Sequence, residues 1–113
     1  MNNVVPIIKQ EAALHLLDSI QKTPQITQRK LSQKLNISLG KINFIIKELS
    51  KKGYVKAKRA AGSEHKLSYV YILTPEGAKQ KIELTKGFLK KKIKEYDQLK
   101  NDIELLKERM AEN

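Results

Sequence analysis

The stretch ITQRKLSQKLNISLGKINFIIKELSKKGYV, residues 26–55, holds two short amphipathic segments, which a four-residue turn from Asn36 to Leu39 separates. A strand-like segment follows at once, and Glu48 is the one acid in the whole stretch. A short helix that crosses onto a second, basic helix is how proteins present a helix to a DNA major groove. The pattern therefore predicts a helix-turn-helix, and a merely solvated basic surface is the simpler alternative.

Helix caps and hydrophobic spacing predict three helices in the first half of the chain. Pro6 can open the first helix, Thr27 caps the second and Ser38 caps the third. In the third helix, apolar residues recur at spacings of three, four and three, which is typical of a helix with one buried side. This predicted buried stripe consists of Leu39, Ile42, Ile46 and Leu49.

Two strand-like segments follow the third helix. Residues 54–58 and 68–73 have strand composition, and the polar residues 59–67 between them predict a loop, the wing. A two-stranded hairpin is unstable alone, so it must pack on the helices. The expected fold is mainly α with a small β-hairpin, and its winged helix-turn-helix domain would span residues 1–77.

A long C-terminal helix is expected from Pro75 to Glu112, because Thr74 can cap it, Pro75 and Glu76 suit its first turn and no proline follows. Residues 78–113 would form the C-terminal dimerisation segment. Apolar or aromatic residues then recur every seven positions, which is the spacing of a coiled coil. We predict a homodimer in which two copies of this helix pair. The predicted dimerisation residues are Leu89, Tyr96, Leu99, Ile103, Leu106 and Met110.

Two alternatives remain open for this helix. It could fold back on its own domain as a single amphipathic helix. If it pairs, a parallel arrangement is favoured, because Glu95 would face Lys100 and Asp102 would face Lys107 of a second copy. Each exposed pair contributes only about 0.2–0.5 kcal/mol, so antiparallel pairing also remains open.

The charge of the chain is unevenly distributed. The net charge is +11, and residues 22–59 hold eleven Lys or Arg against one Glu. Such a surface attracts polyanions by counterion release. An anionic membrane is the competing partner, but no stretch approaches about 18 consecutive apolar residues, and we expect no membrane binding. The N-terminus does not have the pattern of a secretory signal, so we expect a cytoplasmic protein.

The residues expected to contact DNA fall on three segments. The outward side of the third helix presents Ser38, Gly40, Lys41, Asn43, Phe44 and Lys47. The start of the second helix, where such folds contact phosphate, holds Gln28, Arg29 and Lys30. The wing and its edge supply Lys58, Arg59, His65 and Lys66.

Asn43 is the best candidate for reading bases, because its amide can bond adenine at two points. Lys41 and Lys47 would contact phosphates or guanine. Phe44 would either contact thymine methyl groups or pack beneath the wing. Arg59 is the residue expected to enter the minor groove, with plain solvent exposure as its alternative.

No enzymatic chemistry is indicated. Cysteine is absent, and neither His15 nor His65 has a partner at a metal-binding spacing. No glycine-rich phosphate loop occurs either. We therefore expect a protein without catalytic activity, metal or cofactor.

Two runs of sequence resemble a known family. LSQKLNISLGKINFIIKELSKKGYVKAKR (residues 31–59) and LSYVYILTPEGAKQKIELTKGFLKKKIKEYDQL (residues 67–99) are similar to MarR-type winged-helix regulators. More narrowly, they resemble the exopolysaccharide-associated (EPS-associated) MarR family transcriptional regulators, over roughly residues 10–108. The resemblance implies a dimer that binds bacterial promoter DNA sequence-specifically, near polysaccharide genes.

The sequence departs from that family in two ways. Typical members have a longer N-terminal helix that helps to form a ligand pocket, so we expect no small-molecule effector here. Their Asp-x-Arg wing signature is missing, and Arg59, His65 and Lys66 are the nearest basic substitutes. The alternative function is a non-enzymatic winged-helix module that recruits a protein partner and binds DNA or RNA nonspecifically.

Overall fold

The computed structural model describes residues 7–59 and 69–112. In these ranges the elements follow in the order α1 (Ile7–Lys22), α2 (Gln28–Leu35), α3 (Leu39–Lys51), β1 (Val55–Arg59), β2 (Tyr69–Leu73) and α4 (Pro75–Glu112). The two strands form an antiparallel hairpin in which Val55 pairs with Leu73 and Arg59 pairs with Tyr69. The predicted fold class, mainly α with a small β-hairpin and a long C-terminal helix, is confirmed.

The predicted caps begin α2 and α3. Thr27 Oγ1 accepts a hydrogen bond from the amide of Lys30 at 3.2 Å, and Ser38 Oγ accepts one from the amide of Lys41 at 3.2 Å. After α3, Gly53 has φ 78°, a left-handed conformation that favours glycine at a helix end. These local signals fix the limits of the two helices that form the helix-turn-helix.

The apolar core lies where α1, α2, α3 and the hairpin meet. Complete burial of one Leu or Ile side chain contributes about 1.5–3 kcal/mol, so each of these elements is held by its own buried residues. The core consists of Ala13, Leu16, Leu17, Ile20, Ile26, Leu31, Ile42, Ile45, Ile46, Leu49, Val55 and Tyr71.

The predicted buried stripe of α3 is wrong at its first position. Leu39 is 47% exposed, whereas Ile42, Ile46 and Leu49 are buried. Helical side chains lean toward the N-terminus of their helix, so the side chain of the first residue projects past the helix end and beyond the core. Ile45 completes the buried side of α3 instead.

The first turns of α4 belong to the globular domain. Thr74 caps the helix, because its Oγ1 accepts from the amide of Gly77 at 3.0 Å, and its hydroxyl donates to the carbonyl of Gly53 at 2.5 Å. Gly77 is buried, and Leu84 packs against the core. Core contacts therefore extend past the predicted domain boundary at residue 77, and that boundary stays a prediction.

An ion pair ties α4 to α1. The ammonium of Lys81 lies 2.9 Å from Oδ1 of Asp18, and the ammonium of Lys22 lies 3.1 Å from Oδ2 of the same carboxylate. The hydrogen bond from Lys81, assisted by that from Lys22, lowers the pKa of Asp18, although partial burial acts in the opposite direction.

Beyond Phe88, α4 extends away from the domain. Residues 89–112 are all exposed, and the chain measures 71 Å along its longest axis against 29 and 21 Å across. The helix continues through Gly87 without a break. None of the helices in the described ranges is both long enough and apolar enough to cross a membrane.

Gly77→Ala is expected to lower the free energy of unfolding by about 1–3 kcal/mol. An added Cβ would overlap the carbonyl oxygen of Tyr54, so the backbone of α4 or of the turn would have to move. Gly87→Ala in the same helix is the control, because no atom of the described residues lies within 4 Å of the added Cβ. This change should be neutral or stabilising by up to about 1 kcal/mol. Urea unfolding at fixed protein concentration measures both variants, and equal losses would contradict the close contact.

Asp18→Asn is expected to lower the free energy of unfolding by about 0.5–1 kcal/mol at pH 7. Because the folded-state pKa of Asp18 is lowered, its ion pair stabilises the fold above the ordinary pKa of about 3.8. The contribution is lost as the pH falls through the lowered folded-state pKa, and the variant and wild type should then be equally stable.

Chemical unfolding at several pH values measures this difference. Glu83→Gln is the control, because Glu83 pairs at 3.7 Å with Lys86 of its own helix and does not join two elements. A loss for Asp18→Asn that stays constant down to strong acid would show that its charge is not involved.

Candidate nucleic-acid interface

A tight turn joins α2 to α3. Asn36 adopts the left-handed conformation, φ 55° and ψ 44°, which asparagine tolerates better than most residues. The amide of Ile37 donates to the carbonyl of Ser32 at 3.2 Å, and the Ser32 hydroxyl donates back to the carbonyl of Ile37. The turn thus closes the end of α2 before Ser38 caps α3.

The side of α3 opposite the core carries basic, apolar and amide side chains. Lys41 and Lys47 are exposed, and Phe44 lies between them, three residues from each. Gly40 leaves the first turn uncovered, since a Cβ there would meet no atom of the described residues within 4 Å. We call this surface the outer face of α3. It consists of Leu39, Gly40, Lys41, Asn43, Phe44 and Lys47.

Two large apolar side chains on this face are open to solvent. Leu39 and Phe44 are each 47% exposed. The sequence interpretation placed Leu39 in the core. Leu39 directly follows the Ser38 cap, and this position was the signal that Leu39 lies at the end of the helix and outside the core. Phe44 was expected either at DNA or beneath the wing, and nearly half of its surface is available for a contact.

Asn43 is only half exposed, because it is hydrogen-bonded to α2. The Nε2 of Gln28 donates to Asn43 Oδ1 at 3.2 Å and to the hydroxyl oxygen of Tyr71 at 2.9 Å. Sequence reasoning missed Tyr71, which the structure brings from β2 to these two predicted site residues. Gln28 was expected at phosphate, but its amide nitrogen faces Asn43 and Tyr71.

The remaining predicted site residues lie on the elements that flank α3. Arg29 and Lys30 are exposed in the first turn of α2, while Lys58 and Arg59 are exposed at the far end of β1. His65 and Lys66 lie outside the described residues. Their contact with DNA stays a prediction, as it does for the other residues of this set.

Positive charge dominates the surface of this half of the domain. All eleven Lys and Arg side chains of residues 22–59 are exposed. The single acid in that segment, Glu48, lies 3.8 Å from the ammonium of Lys51. A surface of this kind favours a polyanionic partner, since binding releases condensed counterions. Within the described ranges, no group of three or more His, Cys, Asp or Glu side chains could hold a metal ion.

Comparison with known proteins finds relatives of the helix-turn-helix region. The family described as winged helix-turn-helix DNA-binding matches residues 10–56, which run from α1 into β1. No curated protein matches the sequence.

Several solved structures share the fold. A MarR transcriptional regulator from Methanosarcina mazei Go1 is 27% identical, with 70% of this chain and 60% of that chain covered and a TM-score of 0.57. Streptococcus pneumoniae FabT, solved in complex with DNA, is 26% identical over 74% of this chain and 57% of that chain, with a TM-score of 0.58. A mutant of S. aureus MepR is 18% identical, over 96% and 77% of the two chains, with a TM-score of 0.62.

Residues 10–56 are thus similar to the winged helix-turn-helix DNA-binding family. The fold of the chain is that of the MarR family transcription regulators, as the sequence resemblance implied. The chain spans 57% of FabT and 60% of the M. mazei regulator. The exopolysaccharide-associated subgroup and the expected absence of a small-molecule effector stay predictions.

Proposed function

We propose that this chain is a homodimeric transcriptional regulator that binds a palindromic DNA site with the outer face of α3 in the major groove. The observation that carries the proposal is the two-sided character of α3. One side of the helix is buried through Ile42, Ile45, Ile46 and Leu49, while the other presents lysines and exposed apolar groups. A largely exposed face with the charge of a polyanion binder fits a recognition helix.

The side chains of this face divide into base-reading and phosphate-binding groups. Asn43 bonds adenine, since its amide offers a donor and an acceptor. Lys41 and Lys47 bind phosphates or guanine. Leu39 and Phe44 contact thymine methyl groups, which are the apolar feature of the major groove. Arg29 and Lys30 bind the backbone phosphates that flank the groove.

The hairpin serves as the wing of this interface. Lys58 and Arg59 extend along the exposed edge of β1 toward residues 60–68. Arg59 would enter the minor groove, where negative potential attracts arginine. The DNA complex of the similar FabT protein supports a duplex as the ligand of this fold.

Dimerisation through α4 is the second part of the proposal. The far half of α4 exposes large apolar side chains that the domain does not cover. Exposed apolar side chains in such number on one helix favour an interaction site, and the seven-residue spacing suits a second copy of the same helix. They form two seven-residue series, which together we call the seam: Leu89, Tyr96, Ile103 and Met110 in the first series, and Leu99 and Leu106 in the second.

The proposed dimer has a geometric consequence for the DNA site. Two recognition helices bind successive major grooves when they lie about 34 Å apart, one turn of B-DNA. The half-sites should therefore form an inverted repeat with one-turn spacing.

Selection of bound fragments from the source genome should recover a common site. Its affinity should exceed that of random duplex by more than about tenfold, and usually by 10³ or more. RNA of equal length should compete no better than random duplex. A preference below about tenfold would favour the alternative, a winged-helix module that binds nucleic acid nonspecifically and recruits a protein partner.

Alanine variants separate the roles within that experiment. Asn43→Ala should weaken the selected site by about 1–3 kcal/mol and leave random duplex unchanged. Lys41→Ala should weaken both duplexes and reduce the slope of log affinity against log salt by about one. Lys94→Ala is the matched control, since it removes an equally exposed lysine from α4. An unchanged affinity for the selected site in both α3 variants would show that another face binds DNA.

Two neighbouring leucines test the dimer. Leu106 is 59% exposed and Leu105 58%, but only Leu106 lies on the seven-residue seam. Leu106→Lys should place like charges together in a coiled coil and raise the dimer dissociation constant by at least about tenfold. Leu105→Lys introduces the same charge off the seam and should leave the dimer intact. Sedimentation at micromolar concentration measures both, and a monomeric wild type would contradict the dimer.

A further inference from the structure

A hydrogen-bonded chain links the hairpin to the outer face of α3. Tyr71, on β2, is 6% exposed, and its hydroxyl oxygen accepts from Gln28 Nε2 at 2.9 Å. The same nitrogen donates to Asn43 Oδ1 at 3.2 Å. A backbone hydrogen bond also holds Tyr71 beside the residues that precede α2, because the amide of Tyr71 donates to the carbonyl of Ile26 at 3.2 Å.

The two hydrogens of the Gln28 amide nitrogen account for both bonds. A buried phenol needs a hydrogen-bond partner, and Gln28 supplies it with one hydrogen. A purely structural role would end there. The second hydrogen reaches the side chain of Asn43, which belongs to the outer face of α3 and is half-buried.

This hydrogen-bonded chain holds the Asn43 amide at one place on the outer face of α3. The terminal torsion of asparagine has two near-equivalent settings, in which oxygen and nitrogen exchange places. Because the Tyr71 hydroxyl can donate as well as accept, the Gln28 and Asn43 amides can reverse together and keep both bonds. In either setting Asn43 stays bonded to Gln28 and keeps an acceptor lone pair on Oδ1 and a hydrogen on Nδ2 for a base edge.

We propose that Gln28 and Tyr71 are specificity-determining positioning residues, which hold the Asn43 amide where its acceptor and its donor reach the edge of a base. Side chains of α2 and β2 thereby determine how strongly Asn43 discriminates between bases. Adenine offers the amide an acceptor and a donor side by side in the major groove, and a base pair without that pattern is bound less well. This inference rests on the proposed function, because it assigns a mechanism to the same interface.

Tyr71→Phe tests the proposal, since it removes only the hydroxyl and keeps the ring in the core. Each base pair of the selected half-site is replaced in turn, and affinities are measured by fluorescence anisotropy. Asn43→Ala should abolish the preference of the protein for the original base pair at one position of the half-site. At that position, Tyr71→Phe should lower the ratio of the affinities for the original and the replaced base pair by about threefold to tenfold. Affinity for random duplex should change by less than about twofold, since the phosphate contacts are untouched.

Tyr69→Phe is the matched control. It makes the same chemical change two residues earlier on β2, at an exposed side chain. Its base preferences should equal those of the wild type. A double variant completes the set: once Asn43 is replaced by Ala, Tyr71→Phe should cause no further loss of preference, because the group that it positions is gone.

Side-chain amide resonances give a readout that requires no DNA. In the free protein, the NH₂ signals of Gln28 and Asn43 should shift in Tyr71→Phe and stay in place in Tyr69→Phe. Thermal unfolding of each variant shows whether a loss of base preference is caused by a loss of folded protein.

The outcomes distinguish the two proposals. A wild type that prefers no sequence overturns both the proposed function and this inference. A wild type that discriminates, together with a Tyr71→Phe variant of unchanged base preference or unmoved amide signals, overturns the positioning role alone.

Discussion

The apolar side chains of α3 can leave water only if this helix lies against α1, α2 and the hairpin, and the other features depend on that contact. Ile42, Ile45, Ile46 and Leu49 recur at helical spacing, so their burial fixes the rotation of α3 about its own axis. Once the rotation is fixed, Lys41, Phe44 and Lys47 must face outward. The same contact that holds the domain together therefore creates the surface proposed to bind DNA.

That surface carries an electrostatic cost. Eleven exposed Lys and Arg side chains between residues 22 and 59 repel one another, and a single Glu offsets them. A polyanion that binds the folded domain more tightly than the unfolded chain reduces this repulsion and should raise the stability of the domain. Without a polyanion, burial of the apolar core supplies the stabilisation that opposes the repulsion.

The sequence predicted the local features and missed those that depend on long-range packing. Caps at Thr27, Ser38 and Thr74 lie within a few residues of the amides that they bind, so they are visible in the sequence. The strands were predicted as 54–58 and 68–73, and the observed limits are 55–59 and 69–73, so every strand end agrees within one residue. Leu39 was assigned to the core because periodicity shows which side of a helix is apolar. It does not show how far along that side the neighbouring elements pack.

The hydrogen-bonded chain at Asn43 was beyond sequence reasoning for a different reason. Gln28 and Tyr71 are 43 residues apart, and the contact depends on the pairing of Tyr71 with Ile26 just before α2. Periodicity carries no information on that pairing. A tyrosine in a strand is ordinarily read as a core residue, which Tyr71 also is. Its hydroxyl also bonds Gln28, a contact that only the three-dimensional arrangement shows.

The path of α4 bears on the spacing of the proposed DNA site. This helix begins two residues after β2 ends, with Thr74 between them, and its buried Gly77 holds it against the turn before β1. It then runs without a break to the exposed residues proposed as the dimer seam. A continuous helix transmits orientation, whereas a flexible linker would allow many distances between the two recognition helices. In the proposed dimer, the separation of half-sites would therefore be set by the contact at Gly77 together with the register of the paired helices.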